Sequence, residues 1–458
     1  MSKLNAPESA GNIVKFRVSS NFTEYAVELA AGVVDFRYYE NVLSNNVTAT
    51  ATIVETGYSD GTGDSQSTVD GLPIRGGERT DITIEDVYGN ELTLEEGLYV
   101  NRIRDVNPDT TKDVYFLDFA SREFFANEQT RVVKKYEGNI GDNVQKILRD
   151  VLNVTTDIDI DNTSAPYNFI GNDRKPFYVC TWLASKSIPE VTSEGGTSGK
   201  GRAAGYLFFQ TRDGYHFKSI DKIFSGTAKK KYIFNNSTSI PDKYDAKILT
   251  YDINSDVDVG KNLMMGMYNN RSIFFDPLAF NYEVRSFPKA EVPQVEGDIV
   301  VDEIPTEDQY LEKTQNAAEE PVGKLIPDEF RQSPTRFMSF ITDNGVMPSG
   351  IDSQEQLNTW SSEKTKDNYD FKNTASQSIM RYSQLFTVKT EITIPGDFTI
   401  KAGDVIQCDF PDLSGSEVKG VNTETKGIYM VASVCHRITP TSSNTSLSLV
   451  RDSFGDKK

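Results

Sequence analysis

Histidine is almost absent: the 458 residues contain only His216 and His436. A histidine-built zinc site cannot be assembled within one chain from that stock. Cysteine is equally scarce. Cys180, Cys408 and Cys435 are far apart and outside any C-x-x-C pair, so no disulfide framework is indicated and a reducing compartment fits. No apolar run reaches the roughly 18 residues of a membrane helix, and Met1 to Gly11 lack the apolar stretch of a secretory leader; neither membrane insertion nor export by that route is expected. Positive charge is also in deficit. With 48 Lys and Arg against 67 Asp and Glu, the formal charge is −19, which opposes binding nucleic acid by phosphate neutralisation and excludes a duplex-DNA reader.

What is present argues for a folded chain of more than one domain. Its length corresponds to roughly two to four domains, and an aromatic content of 11%, with 26 Phe and 21 Tyr, excludes global disorder. Residues 12 to 55 alternate as strands: Ile13, Phe16 and Val18, then Tyr25, Val27 and Leu29, then the β-branched run from Val47 to Val54. Gly57 to Val69 is a polar excursion expected as a loop tip. After Gly71-Leu-Pro-Ile-Arg-Gly-Gly-Glu78, further strands are expected at Ile82 to Glu85, Leu92 to Leu94, Tyr99 to Arg104 and Val114 to Phe119. That density of short strands predicts a small antiparallel barrel or sandwich over 12–125, preceded by a flexible arm over 1–11.

The period then changes. Val144, Ile147, Leu148, Val151 and Leu152 fall at helical spacing, predicting an amphipathic helix capped near Asp142; Val179, Trp182 and Leu183 predict a second, shorter one. A Gly/Ser-rich loop from Ser193 to Gly201 leads to a hairpin in which Tyr206 to Gln210 returns through Arg212-Asp-Gly214 to Tyr215-His-Phe217. Residues 126–245 are therefore expected as an α+β module. Strands resume from Ile248 and include Phe274, Phe275 and Phe280 to Tyr282. Residues 291 to 330 hold 12 acids against two lysines, with four prolines, the composition of a solvated, irregular insertion. A helix over about Ala375 to Phe386 precedes strands at Thr390 to Ile394, Val405 to Phe410, Ile428 to Arg437 and Leu447 to Val450. The fold class is mainly β with α: two antiparallel β-domains, 12–125 and 246–290 with 375–455, separated by the module, the second interrupted by an acidic insertion over 291–374 with little regular structure.

No motif in the sequence carries a recognisable chemistry. Gly195-Gly-Thr-Ser-Gly-Lys-Gly201 has the wrong spacing for a phosphate loop and precedes a strand instead of a helix. Asp157-Ile-Asp-Ile-Asp161 begins like a calcium loop but lacks the glycine and the closing glutamate. Asp252, Asn254, Asp256 and Asp258 alternate as a solvated strand face. No Gly-x-Ser-x-Gly elbow occurs and neither histidine has a triad context; the cysteines sit in apolar segments as small hydrophobes. No catalytic, cofactor-binding or metal-ligating residue is assigned, and no enzymatic activity is expected.

One resemblance does emerge from the order of the segments. Gly71 to Glu78 before an alternating strand, Tyr115-Phe-Leu-Asp-Phe-Ala-Ser-Arg-Glu123, and Val132 to Gly138 ahead of the Ile140 to Leu152 helix resemble the baseplate central hub proteins of contractile-tailed bacteriophages. The Phe177 to Ile188 segment leading into the Tyr206 to Ile220 hairpin, and Phe398-Thr-Ile-Lys-Ala-Gly-Asp-Val405, resemble pieces of the same hubs and of the related type VI secretion spike protein. The resemblance covers most of 12–286 and 375–452.

It implies two tail-tube-like barrels per subunit and a homotrimer whose six barrels match a sixfold tail tube on one side and a threefold cell-puncturing spike on the other. The implied partners are a second and third copy, the trimeric spike or needle protein, the tail tube or its initiator, and the baseplate wedge, with DNA only in transit through the channel. The implied location is the virion tail baseplate, with host cytoplasm during assembly. Two readings from other classes compete. A glycan or cell-wall hydrolase would release glycan through a carboxylate pair hidden among the 67 acids, and a glycan-binding adhesin would bind cells as an isolated chain.

Overall fold

The structure is a computed structural model. It describes residues 10–190, 204–287, 335–341, 371–411 and 421–454, less short stretches at 57, 60–64, 67, 73, 95–96, 109–111, 165, 236–239, 255–257, 278–279 and 423, together with 330 and 355. The sequence expectations for 1–9, for Gly195 to Gly201, for Asp256 and for the acidic stretch from 291 to 329 fall outside the described residues.

The molecule is mainly β with some helices, and its dominant element is one 15-stranded sheet. From one edge, Ala26–Glu28, Asn12–Ser19, Arg79–Glu85, Leu98–Pro108, Asp113–Ala120, Thr48–Glu55 and Val33–Asn41 follow one another, all antiparallel. Inward residues of these strands meet in an apolar core, where the Phe16 ring lies edge-on to Phe36 and Phe119 at 5.9 and 5.8 Å. Such edge-to-face pairs add roughly 0.5–1.5 kcal/mol beyond burial. A second core, including Tyr232, Ile392, Ile406, Tyr429 and Leu449, fills the C-terminal β-region.

Two separate closed barrels are not what the pairing builds. Among the described residues no closed barrel forms, and the two β-regions are sections of the same sheet. Gly427–Ile438 is long enough to serve both. Its first part pairs with Val405–Asp409, and its second pairs with Val33–Asn41 in a register running from Ser433↔Asn41 to Ile438↔Phe36. On its other edge lie Ser443–Arg451, Val388–Pro395 and Thr250–Asn254 in turn. Lys231–Ile233, expected in the module, joins this sheet beside Val405–Asp409. Asn270–Asp276 and Asn281–Phe287, expected in the second β-domain, instead form a separate three-stranded sheet with Phe337–Ile341. That strand and the helix Phe371–Gln384 give the 291–374 stretch regular structure.

The module's two expected helices are Ile140–Lys146, continued as a π-turn over Ile147–Val151, and Pro176–Ala184, which starts on a proline at its first turn; a short third helix spans Ile220–Phe224. The first begins at Asn139, without a side-chain cap bond, instead of near Asp142. The hairpin strands Tyr206–Thr211 and Gly214–Ser219 pair as the Asp-Gly signal requires. Gly214, at φ 138°, sits where a side chain would strike the Asp157 carbonyl. All of Tyr206–Thr211 is buried because both of its faces are covered. Tyr206 and Phe208 pack into the module core, while Leu207 and Phe209 pack with Ile220, Leu385, Met430 and Val450 of the layer next to it.

Candidate functional site

The region that gathers the most chemistry is a buried polar junction where the two β-regions and the module meet. It is organised by the turn from Pro395 to Asp404, which holds all of the Phe398 to Val405 motif except Val405, the first residue of the next strand. Glu40 lies on the Val33–Asn41 strand at the inward parity shared by Phe36 and Tyr38, only 2% exposed. Its Oε1 accepts the Arg212 N–H at 2.8 Å and the Tyr38 hydroxyl at 3.0 Å, and its Oε2 accepts the Ala402 N–H at 2.9 Å. One carboxylate thus ties a strand of the first region to turns of the module and of the second region. Burial raises its pKa, against the pull of the two backbone donors.

Neighbouring groups repeat the device. The Asp86 side chain accepts the Tyr88 and Asn90 N–H groups of its own turn at 2.8 Å each, and the Phe398 N–H at 2.9 Å across the junction. The Arg212 guanidinium donates to the carbonyls of Phe398 and Thr399. Asp397 accepts from Lys230 at 2.5 Å and from the Tyr232 hydroxyl at 3.2 Å, and from the Thr399 hydroxyl at 2.6 Å. Burial opposes the Asp397 charge, but Lys230 and the Thr399 donors hold its pKa below the usual carboxylate value.

His436 completes the junction. Its ring is parallel to Tyr38, with centroids 6.2 Å apart, and edge-on to Phe398 at 4.9 Å. Nδ1 lies 3.0 Å from the Thr445 hydroxyl and Nε2 3.0 Å from the Ile400 carbonyl, so the neutral tautomer that donates from Nε2 and accepts at Nδ1 satisfies both. Burial, then the Arg212 charge, lower its pKa to about 3. A second buried knot lies beyond. Arg381, on the Phe371–Gln384 helix, donates Nε to Asp221 and Nη1 to Asp452, each at 2.7 Å, with all three side chains almost wholly buried.

The residues singled out in the sequence are dispersed. Cys180 and Cys408 are buried, and burial pushes both thiols up; Cys435 is half-buried and raised for the same reason. Asp159 and Asp161 are held by lysines: Lys218 reaches both, at 2.5 and 3.2 Å, and Lys222 reaches Asp161 at 2.7 Å. Asp252 and Asn254 lie on an exposed strand, and Asp258 caps a short helix through the Lys261 N–H. His216 has a surrounding that its sequence context does not reveal. Nε2 lies 2.8 Å from the Thr211 hydroxyl and Nδ1 3.6 Å from Asp159. Thr211 is 2% exposed and accepts the Asp213 N–H of its own turn, so this arrangement braces the hairpin and offers no accessible nucleophile. The cleft of about 350 Å³ beside it contains Lys218, Lys222, Lys229 and Lys401. Each of these is paired with a carboxylate, which leaves no surplus positive charge for an anion.

Sequence reasoning missed Glu40, Asp86, Arg212 and the Arg381 knot. Glu40 had a usable signal, a charge at the inward parity of an apolar strand; the knot had none, because its members are brought together from three distant segments.

No protein-family model matches the chain, and no curated protein matches it. Among solved structures, the chain is similar to a tail protein from Neisseria meningitidis at 10% identity, over 95% of this chain and 96% of that one, with a TM-score of 0.49. It is also similar to a prophage tail protein from Shewanella oneidensis at 8% identity, over 97% and 98% of the two chains, with a TM-score of 0.47. A third is a component of the E. coli type VI secretion system, at 8% identity over 98% of this chain and 79% of that one, with a TM-score of 0.41. These are proteins of phage tails and of the type VI secretion system.

Proposed function

We propose that the chain is a structural virion protein, the hub subunit of a contractile-tail baseplate. Three copies form a ring that meets a sixfold tail tube on one face and a trimeric spike on the other, contacts the wedge, and leaves a channel for DNA. The observation that carries this reading is the shared strand Gly427–Ile438, which fuses two β-regions into one continuous sheet. A symmetry adaptor needs two β-lobes per subunit held at a fixed relation, so that three subunits present six. In-register strand pairing, locked by Glu40, Asp86 and Arg212, supplies such a joint. Net charge is compatible with it: three copies at −19 each make an acidic assembly, which does not bind DNA phosphates by charge.

The test is electron microscopy with class averaging of the purified chain mixed with its candidate spike. A three-subunit ring with six lobes and an open centre is the expected result. Persistent monomers in the presence of the spike would overturn the reading and direct attention to a glycan-release assay.

A further inference from the structure

One face of the large sheet carries a groove of about 440 Å³, which crosses Thr250–Asn254, Val388–Pro395, Ser443–Arg451, Gly427–Ile438 and Val33–Asn41. Register fixes which side chains share it. Asp252 lies opposite Glu391, Glu391 opposite Ser448, and Ser448 opposite Ser433; in the next row Ser446 lies opposite Cys435, and Cys435 opposite Tyr39. Directly opposed residues stand on the same side of a sheet. The two middle strands therefore line the groove with small side chains, between Tyr39 on one flank and the two carboxylates on the other.

Other acids on this face sit against cations. Asp118 accepts two bonds from Arg104, at 2.8 and 3.0 Å, and Asp35 holds Arg37 and Arg437 at 2.8 Å each. Asp252 and Glu391 are exposed and face each other instead, and among the described residues neither has an ion pair. Lys389, two residues from Glu391, has its ammonium over the Phe386 ring at 5.7 Å. Like charges directly opposite one another, with Cβ atoms about 4.5–5.5 Å apart, destabilise a strand pair. A cation that reaches both carboxylates would remove that cost. The guanidinium suits this best, because its planar fork of five donors can serve two carboxylates at once, whereas an ammonium acts as a point charge. The hydroxyls of Ser433, Ser446 and Ser448 offer donors and acceptors to the backbone that would carry it. A second copy of a chain at −19, a nucleic acid or an anionic membrane would only add negative charge to the pair.

We propose that this groove is a docking site for an arginine-bearing extended segment of a basic partner protein, whose guanidinium bridges Asp252 and Glu391. The inference goes beyond the hub reading and does not depend on the ring.

The test is isothermal titration calorimetry of the full chain at low salt with the peptide acetyl-Thr-Val-Arg-Val-Thr-amide. The same peptide with citrulline in place of arginine keeps the shape and loses the charge. One saturable site is expected for the arginine peptide, with affinity at least about tenfold lower for the citrulline peptide and for Asp252→Asn or Glu391→Gln, as for loss of a charge-assisted hydrogen bond. Ser446→Trp, which fills the groove without changing its charge, should weaken binding as much. Glu24→Gln, at an exposed acid on the turn before Ala26–Glu28 at the far edge of the sheet, should leave it unchanged. Thermal melts report folding: both neutralised variants are expected to melt no lower than the wild type, since each relieves the repulsion, and if one melts early the other decides. Absence of saturable binding, or equal binding of the two peptides, overturns the inference. Equal losses in Glu24→Gln and Glu391→Gln would assign binding to the general acidity of the chain and overturn it as well. Indifference to Ser446→Trp would place the peptide outside the groove, with the same consequence.

Discussion

The two buried charged knots compensate their charges differently. At the junction, Glu40 and Asp86 are solvated by backbone N–H groups donated from turns, and Glu40 by one neutral hydroxyl besides. At the helix, Arg381 and the two acids Asp221 and Asp452 solvate one another. A carboxylate facing backbone donors loses little if its charge is softened, since the donors remain and can still find an oxygen. In the ion triad one cation holds both acids, so removing its centre takes the ion pair from two buried carboxylates at once. The difference predicts which knot fails hardest.

The sharpest test is Arg381→Met, which keeps the length of the side chain and removes the charge. Breaking a buried pair by deleting one partner costs about 3–5 kcal/mol, and a loss of that size in the denaturant midpoint is expected. Adding Asp221→Asn and Asp452→Asn should recover a large part of it. If the single variant is as stable as the wild type, the triad is not the stronger knot.

Acid should act on the other knot. The unfolded chain takes up a proton on His436 near 6.5, the folded protein only near 3. As pH falls between those values the unfolded state binds more protons, so stability is lost toward acid at about 1.4 kcal/mol per pH unit, or about 2 kcal/mol at pH 5. Above the unfolded value His436 contributes no slope. Glu40, whose folded pKa is raised, acts in the opposite sense just above its ordinary value, and Asp397, whose pKa is lowered, acts only near and below 3.8. The difference between wild type and His436→Phe, measured as stability against pH, isolates the His436 part. A pH-independent difference would show that the ring is not buried neutral.

A milder break is Glu40→Gln. The amide keeps its volume but turns an N–H₂ toward either the Arg212 or the Ala402 donor, so one donor loses its acceptor. About 1–3 kcal/mol is expected, less than at Arg381, with the two β-regions still melting in one transition. Two separated transitions would mean that Glu40 alone, and not the strand pairing, holds the regions together.

How far the sequence revealed this architecture depends on the range of the interactions. Strand alternation, the Asp213-Gly214 hairpin and the Pro176–Ala184 helix were legible because their causes are local: parity, turn chemistry and helical spacing. The fusion of the regions was not, since the pairing of Val33–Asn41 with Gly427–Ile438 joins segments almost 400 residues apart, and an edge strand does not announce its partner. Likewise Phe274 and Phe275 read equally well as the second β-region or as a separate sheet. Only the contact with Phe337–Ile341 decides between them. At the junction, the Phe398 to Val405 motif was visible while the Glu40 and Arg212 groups that hold it were not.

The turn at Gly76 and Gly77 extends the comparison to another buried carboxylate, wholly local this time. Glu78 is buried and accepts the Arg75 N–H at 2.7 Å and the Gly76 N–H at 2.8 Å, while the Gly77 N–H donates to Val100 at 2.7 Å. Gly76 and Gly77 have φ of 110° and 82°, so the loop that solvates Glu78 exists only while both positions accept left-handed backbone. A side chain at Gly77 meets nothing nearer than Asn21, at 3.5 Å; the penalty is therefore conformational, about 1–3 kcal/mol for a β-branched residue there. Gly77→Val should lower the melting temperature, and Gly77→Asn, which tolerates that region better, should lower it less. Equal losses from the two would place the cost in crowding instead of backbone. The expected ranking, with Val the worse, would show that a backbone-solvated carboxylate depends on the turn that presents its donors, as Glu40 depends on the turns of Arg212 and Ala402.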